Sequence, residues 1–282
     1  MLRLGAHESI AGGLHQAFAR AQSVGCDAMQ IFVKSNRAWA VQPLTDEEIA
    51  RFAAQAAETG ITPVVGHASY LLNPAASDDA LWAKSRDMLI VELERCEALG
   101  LPGLVLHPGS HMGAGEEAGL ARVARALGEV HAATPGFRAQ ILVETTAGQG
   151  TNLGYRFEQL AWLIAHTPQG ERLGVCLDTC HVFAAGYELR TPEGYAATMA
   201  EFERIVGLER LKVLHLNDCK AALGSRKDRH EHIGKGAIGL EGFRHVLNDP
   251  RLEGLPAFLE TPKSEDLHED RENLAVLRSL IG

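Results

Sequence analysis

Apolar residues recur along the chain in two alternating rhythms. Short β-type runs ending on polar residues are followed by longer segments with the 3.6-residue period of amphipathic helices. The strand-like runs fall at residues 2–6, 28–33, 63–66, 104–106, 141–143, 174–177, 212–214 and 257–259. Between them, Thr45 with Glu48 three residues on reads as a capping box opening a helix over 45–59. A second long helix is predicted over 77–99, with Gly100 at its C-cap and its many charges on a solvated face. Eight βα units in 282 residues predict a single-domain α/β fold, a (β/α)8 TIM barrel, whose usual length is about 250 residues. A doubly wound open sheet is the competing architecture. No GxGxxG loop follows the first strand, so no nucleotide cofactor is expected.

A barrel of this kind carries its chemistry at the C-terminal ends of the strands. The third run ends at His67, the fourth at His107, the fifth at Glu144, the sixth at Asp178, the seventh at His215 and the eighth at Glu260, while His7 follows the first. One such residue would be ordinary strand-end polarity; six at one rim point to a metal centre. Two local motifs extend the set. In GVCLDTCH (174–181), Asp178 leaves the strand and His181 comes three residues later; in DRH, Asp228 and His230 are alternate side chains of an extended loop and face the same way. Imidazoles and carboxylates together favour zinc, with manganese or iron as competitors. Cys176 and Cys180 read as packing residues. His15, His131, His166, His245 and His268 read as solvent-facing or structural, and His111 and His232 as loop residues near the rim.

Composition narrows the class. The chain is 46% hydrophobic and 22% charged, enough to bury a large core. No apolar run approaches the roughly 20 residues of a membrane helix, and the N-terminus has no signal-peptide pattern, so a cytoplasmic location and no membrane partner are expected. Five cysteines without a CxxC pair suit reduced thiols. A formal charge of −9 excludes a uniformly basic nucleic-acid binder. Locally the balance reverses: Lys220, Arg226, Lys227, Arg229 and Lys235 crowd the loop 217–236, and Lys34 and Arg37 sit past the second strand at the same rim.

The segments HASYLLN (67–73), GVCLDTCH (174–181) and HLNDCKAALGSRKDRHEHIGKG (215–236) resemble the three signature motifs of the endonuclease IV family, the zinc-dependent class II apurinic/apyrimidinic endonucleases. LGAHES near the start, LHPGSH (106–111), ETTAGQGTNLG (144–154) and FLET (258–261) are similar to other stretches of that family, so the resemblance spans the chain. Leu72 stands where the family more often has Ile or Val, and Cys219 where Ser or Ala is usual; neither position is a ligand. The resemblance implies three Zn2+ per chain. His67, His107 and Glu144 would hold one ion. Glu144 would bridge to a second, held also by Asp178, His215 and Glu260, and His181, Asp228 and His230 would hold the third. It also implies hydrolysis of the phosphodiester 5′ to abasic sites in duplex DNA, leaving a 3′-hydroxyl and a 5′-deoxyribose phosphate, together with removal of 3′-blocking groups. Glu144 and Glu260 would act as catalytic carboxylates, Arg37, Tyr70 and Leu71 would enter the DNA stack, and the protein would work as a monomer. The alternative is a metal-dependent sugar isomerase or epimerase on the same barrel, which has no evident need for the DRH loop.

Overall fold

The computed structural model describes all of residues 1–282. Its eight long strands are β1 (Arg3–Glu8), β2 (Ala28–Phe32), β3 (Val64–His67), β4 (Gly103–Leu106), β5 (Gln140–Glu144), β6 (Leu173–Asp178), β7 (Leu211–His215) and β10 (Pro256–Leu259). They close into a parallel barrel in the order β1-β10-β7-β6-β5-β4-β3-β2, which excludes the doubly wound alternative. Two short antiparallel strands, β8 (Asp218–Cys219) and β9 (His230–Glu231), form a separate hairpin above the rim.

Side chains alternate between the barrel interior and the helical shell. Ala28, Val65, Val105, Leu142, Cys176, Val213 and Phe258 form one compact buried cluster, the interior layer contributed by seven strands. A second, much larger apolar cluster fills the space between sheet and helices. β1 offers Gly5 to the interior layer because nothing larger fits: a Cβ there would lie 1.8 Å from the Ala28 carbonyl oxygen.

All eight predicted strands are present, and several run one or two residues further than their apolar pattern. His7, His67, Glu144, Asp178 and His215 belong to strands because ladder pairing continues through them, as in Phe32 opposite His67 and Asp178 opposite His215. The polar side chain marks a change of surroundings, and the backbone does not turn there.

Helix α1 (Gln16–Val24) follows β1, and α2 (Asp46–Thr59) starts at the expected capping box, with Thr45 and Glu48 bonded reciprocally. The next helix, α3, spans Asp79–Ala98; its C-cap is Leu99, and Gly100 follows with φ +69°. Its charges are not all solvated. Glu92 and Ser85 are buried against loops of the rim, where backbone N–H groups need acceptors. The shell is completed by α4 (Glu116–Ala133), α5 (Phe157–His166), α6 (Thr179–Ala185), α7 (Pro192–Ile205), α8 (Gly239–Leu247) and α9 (His268–Ser279). No helix is long and apolar enough to cross a membrane.

Candidate metal centre

Two residues beyond each member of the interior layer, one pleat nearer the C-terminal rim, lies a polar side chain on the same face. Val65 leads to His67, Val105 to His107, Leu142 to Glu144, Cys176 to Asp178, Val213 to His215 and Phe258 to Glu260. By the same step Gly5 leads to His7 and Ala28 to Gln30. The barrel core thus sets the height of the site, and strand closure brings its members together.

Glu144 stands at the centre, fully buried. Its Oε2 lies 2.9 Å from His107 Nε2 and 3.3 Å from His67 Nε2, and its Oε1 lies 3.0 Å from His215 Nδ1. Donor atoms of His67, His107 and Glu144 form one group of metal-binding dimensions, and those of Glu144, Asp178, His215 and Glu260 form a second. His181 Nε2 is 3.2 Å from Asp228 Oδ2, His230 Nε2 is 3.4 Å from Asp228 Oδ1, and the two imidazole nitrogens are 3.4 Å apart. All nine predicted ligands therefore converge.

The local motifs explain how the last three arrive. Asp178 caps α6, its Oδ1 accepting the His181 N–H at 2.8 Å, so one carboxylate ends the strand and aims the next imidazole. His230 opens β9 opposite Cys219, and the loop before it carries Asp228. Asp218 ties that excursion down: its carboxylate accepts from the N–H groups of Cys219, Gly234, Gly236, Ile238 and Gly239. Gly236 has no room for a Cβ, which would lie 2.5 Å from Asp218 Oδ1.

The donor set suits a borderline-soft divalent cation. The Nδ1–H groups of His67, His181 and His230 donate to the carbonyls of Ala68, Thr145 and Glu260, at 2.7, 2.9 and 3.1 Å, which turns each Nε2 into the site. His215 uses the opposite tautomer, with Nε2 donating to Gln30 Oε1 at 2.8 Å. His67 Nε2 and Glu144 Oε2 are buried with no hydrogen-bond partner, the condition of atoms that coordination would satisfy. Cys176 and Cys180 are buried, and their sulfur atoms lie near enough to join neighbouring donor groups.

Electrostatics keep the carboxylates ionised. Burial alone would raise Glu144 and Glu260, but His107 and His215 beside the first, and His215 and His7 beside the second, hold both well below the usual carboxylate range. Burial opposes the same outcome at Asp228, which His181 and His230 take down to about 2.

Three residues outside the nine position the ligands: Gln30 and Asn217, which the sequence did not single out, and His7, which it placed at the rim after the first strand. Gln30, fully buried, donates to Glu260 Oε1 at 2.7 Å while holding His215. Asn217 donates to Asp178 Oδ2 at 2.7 Å and accepts the Glu260 N–H at 2.7 Å. His7 Nδ1 lies 3.2 Å from Glu260 Oε1, with burial lowering its pKa to about 4. Gln30 was discoverable as the one polar residue inside an otherwise apolar strand.

The centre opens into a cavity of about 500 Å3 lined by His67, Tyr70, His107, His181, Asp228 and Glu260 among others. Tyr70 is 58% exposed, its ring edge on His67 at 5.3 Å, and Leu71 beside it is half-buried. Arg37 is exposed on the loop after β2. Lys34 is not the free rim charge expected of it. It is buried, with Nζ bonded to the carbonyls of Ser35 and Ala38.

The xylose isomerase-like TIM barrel family matches residues 18–280. A probable endonuclease 4 of Chloroflexus aggregans is 58% identical over 100% of this chain and 98% of its own length, and one of Geobacter sulfurreducens is 48% identical over 99% and 94%. The crystal structure of endonuclease IV from Thermus thermophilus superposes with a TM-score of 0.87 at 42% identity, covering 99% of this chain and 98% of that one. The chain belongs to the endonuclease IV family. A D-tagatose 3-epimerase-like protein shares the barrel at 17% identity and a TM-score of 0.74, a likeness of fold alone.

Proposed function

We propose that the protein is a DNA repair endonuclease of the base-excision type, cutting duplex DNA on the 5′ side of abasic sites with the help of three Zn2+. The reading rests on the convergence of nine donors at one open rim in a chain 58% identical to a probable endonuclease 4. His67, His107 and Glu144 would hold one ion, Glu144, Asp178, His215 and Glu260 a second, and His181, Asp228 and His230 the third. Zinc bound there supplies Lewis acidity, acidifying water and neutralising charge on the phosphoryl group.

The protein's own groups do the rest. Hydrolysis joins a water oxygen to phosphorus, breaks the bond from phosphorus to the 3′ oxygen, and delivers a proton to that oxygen. Glu260 lines the cavity and is held by Gln30 and Asn217, so its carboxylate is fixed where it orients the attacking water and accepts a proton. Glu144 joins two of the donor groups, so its loss disturbs both. An abasic nucleotide has lost its stacking, so extruding it costs less than extruding an intact one. Tyr70 and Leu71 at the cavity mouth are an aromatic and an aliphatic wedge for the gap, and Arg37 enters from the neighbouring loop. The reaction needs no second subunit, and the five free thiols suit the cytoplasm.

The test is incision of a duplex carrying a stable abasic analogue. The wild type is expected to leave a 3′-hydroxyl. Glu144→Ala and Glu260→Gln are expected to lose at least about 100-fold in rate. An unchanged rate in both variants refutes the assignment.

A further inference from the structure

We propose that Glu92 and Lys34 form a buried clamp that sets the loop carrying Arg37 against the loop carrying Tyr70 and Leu71, making them positioning residues for abasic-site recognition. The proposal rests on the function proposed above.

Glu92 projects from α3 beneath the rim and is fully buried; Lys34, just after β2, is 4% exposed. Their charged atoms are 3.7 Å apart, a loose contact for an ion pair. The closer bonds go to loop backbone. Glu92 Oε2 accepts the Ser69 N–H at 3.0 Å, immediately before Tyr70. Lys34 Nζ donates to the carbonyls of Ser35 at 2.8 Å and Ala38 at 2.7 Å, on both sides of Arg37. Ser69 Oγ then joins the two loops directly, donating to the Asn36 carbonyl at 3.0 Å. The same helix repeats the arrangement on either side: Arg95 Nε donates to the Val33 carbonyl at 2.6 Å, and Ser85 Oγ accepts the Asn73 N–H at 2.9 Å.

Burying a carboxylate and an ammonium sacrifices solvation that an apolar pair would not. The return here is location. Each charge fixes backbone atoms of one loop, and their mutual attraction fixes the loops relative to each other. Aromatic contact spans the same seam, with Phe32 of β2 edge-on to Tyr70 at 5.5 Å. None of these bonds involves the nine side chains assigned to metal, so the clamp is separable from the metal centre.

Metal-loaded full-length protein is compared as wild type, Glu92→Gln, Ser69→Ala and the double variant Lys34→Met/Glu92→Leu, which leaves no lone charge. In the double variant KM for abasic duplex is expected to rise about tenfold, with kcat and metal content within about threefold of wild type. Amide exchange at Ser69 and residues 35–42 is expected to quicken about tenfold. Glu92→Gln keeps an acceptor for Ser69 but loses the attraction to Lys34, and Ser69→Ala loses the direct bond between the loops, so the KM of each is expected to fall between wild type and the double variant. Faster exchange in both loops with KM unchanged overturns the proposal, as does a parallel fall of kcat and metal content. A wild type that does not prefer abasic to intact duplex overturns the function instead; the clamp is then judged by exchange, and unchanged exchange in the double variant overturns it.

Discussion

Replacing Glu8 by glutamine should make the stability of this protein less sensitive to pH. Glu8 ends β1 with its side chain in the shell between sheet and helices, 1% exposed and with neither carboxylate oxygen bonded. Burial lifts its pKa from 4.5 to about 7, with Asp270 adding to the rise and Lys263 and Arg20 opposing it. Lys263 is engaged elsewhere, donating to Asp270 and to the His7 carbonyl. The folded protein therefore keeps this proton to near pH 7 while the unfolded chain releases it near 4.5. More protons bound in the folded state means stability falls as pH rises across that window. A shift of about 2.5 units at 1.36 kcal/mol each makes the loss about 3 kcal/mol above pH 7. Glu8→Gln has the same shape and does not titrate. The variant should match wild type at pH 4.5 and melt about 5 °C higher at pH 8. Thermal unfolding of both proteins at the two pH values cancels the contributions of all other titrating groups, which the two proteins share. A wild-type-to-variant difference that stays constant with pH refutes the reasoning.

Two further outcomes follow from the rim. Tyr70→Ala should weaken incision of abasic duplex by about tenfold or more while leaving metal content unchanged; elemental analysis beside the incision assay checks it, and parallel loss of both means that Tyr70 is structural. Asp218→Ala removes the acceptor for five backbone N–H groups, so it should destabilise the protein by more than about 2 kcal/mol and cost about one bound metal ion. Melting and metal analysis together check that, and full metal content in a folded variant contradicts it.

The barrel was legible because its strands are short apolar runs cut off by polar residues, and in six of the eight that residue is also a proposed metal ligand. The same feature misplaced the strand ends: the ladder continues through His67 and Asp178, since their side chains change environment while their backbones do not. Asp178 and His181 were legible as a pair because they lie three residues apart just past a strand, where a turn can point both at one site; the structure makes that turn a helix cap. Asn217 was not legible, because an amide does not ligate metals by preference and this one lies in a loop; Gln30 interrupts an apolar strand, but its amide carries no ligand chemistry to single it out. Lys34 and Glu92 were misread for a different reason. Charge along a helix or after a strand normally faces water, and only the packing of α3 under two loops reveals charges turned inward to meet orphaned backbone. Sequence periodicity reports which face of an element is apolar; it carries no information about which polar residues the tertiary fold later encloses.

Single-turnover incision of an abasic duplex by metal-loaded protein, repeated after chelation and again after zinc is restored, tests the central claim most directly. The account predicts cleavage 5′ to the lesion, loss of at least about 100-fold on chelation, and recovery as zinc approaches about three ions per chain. Cleavage that persists without metal, or full recovery at about one ion per chain, contradicts it.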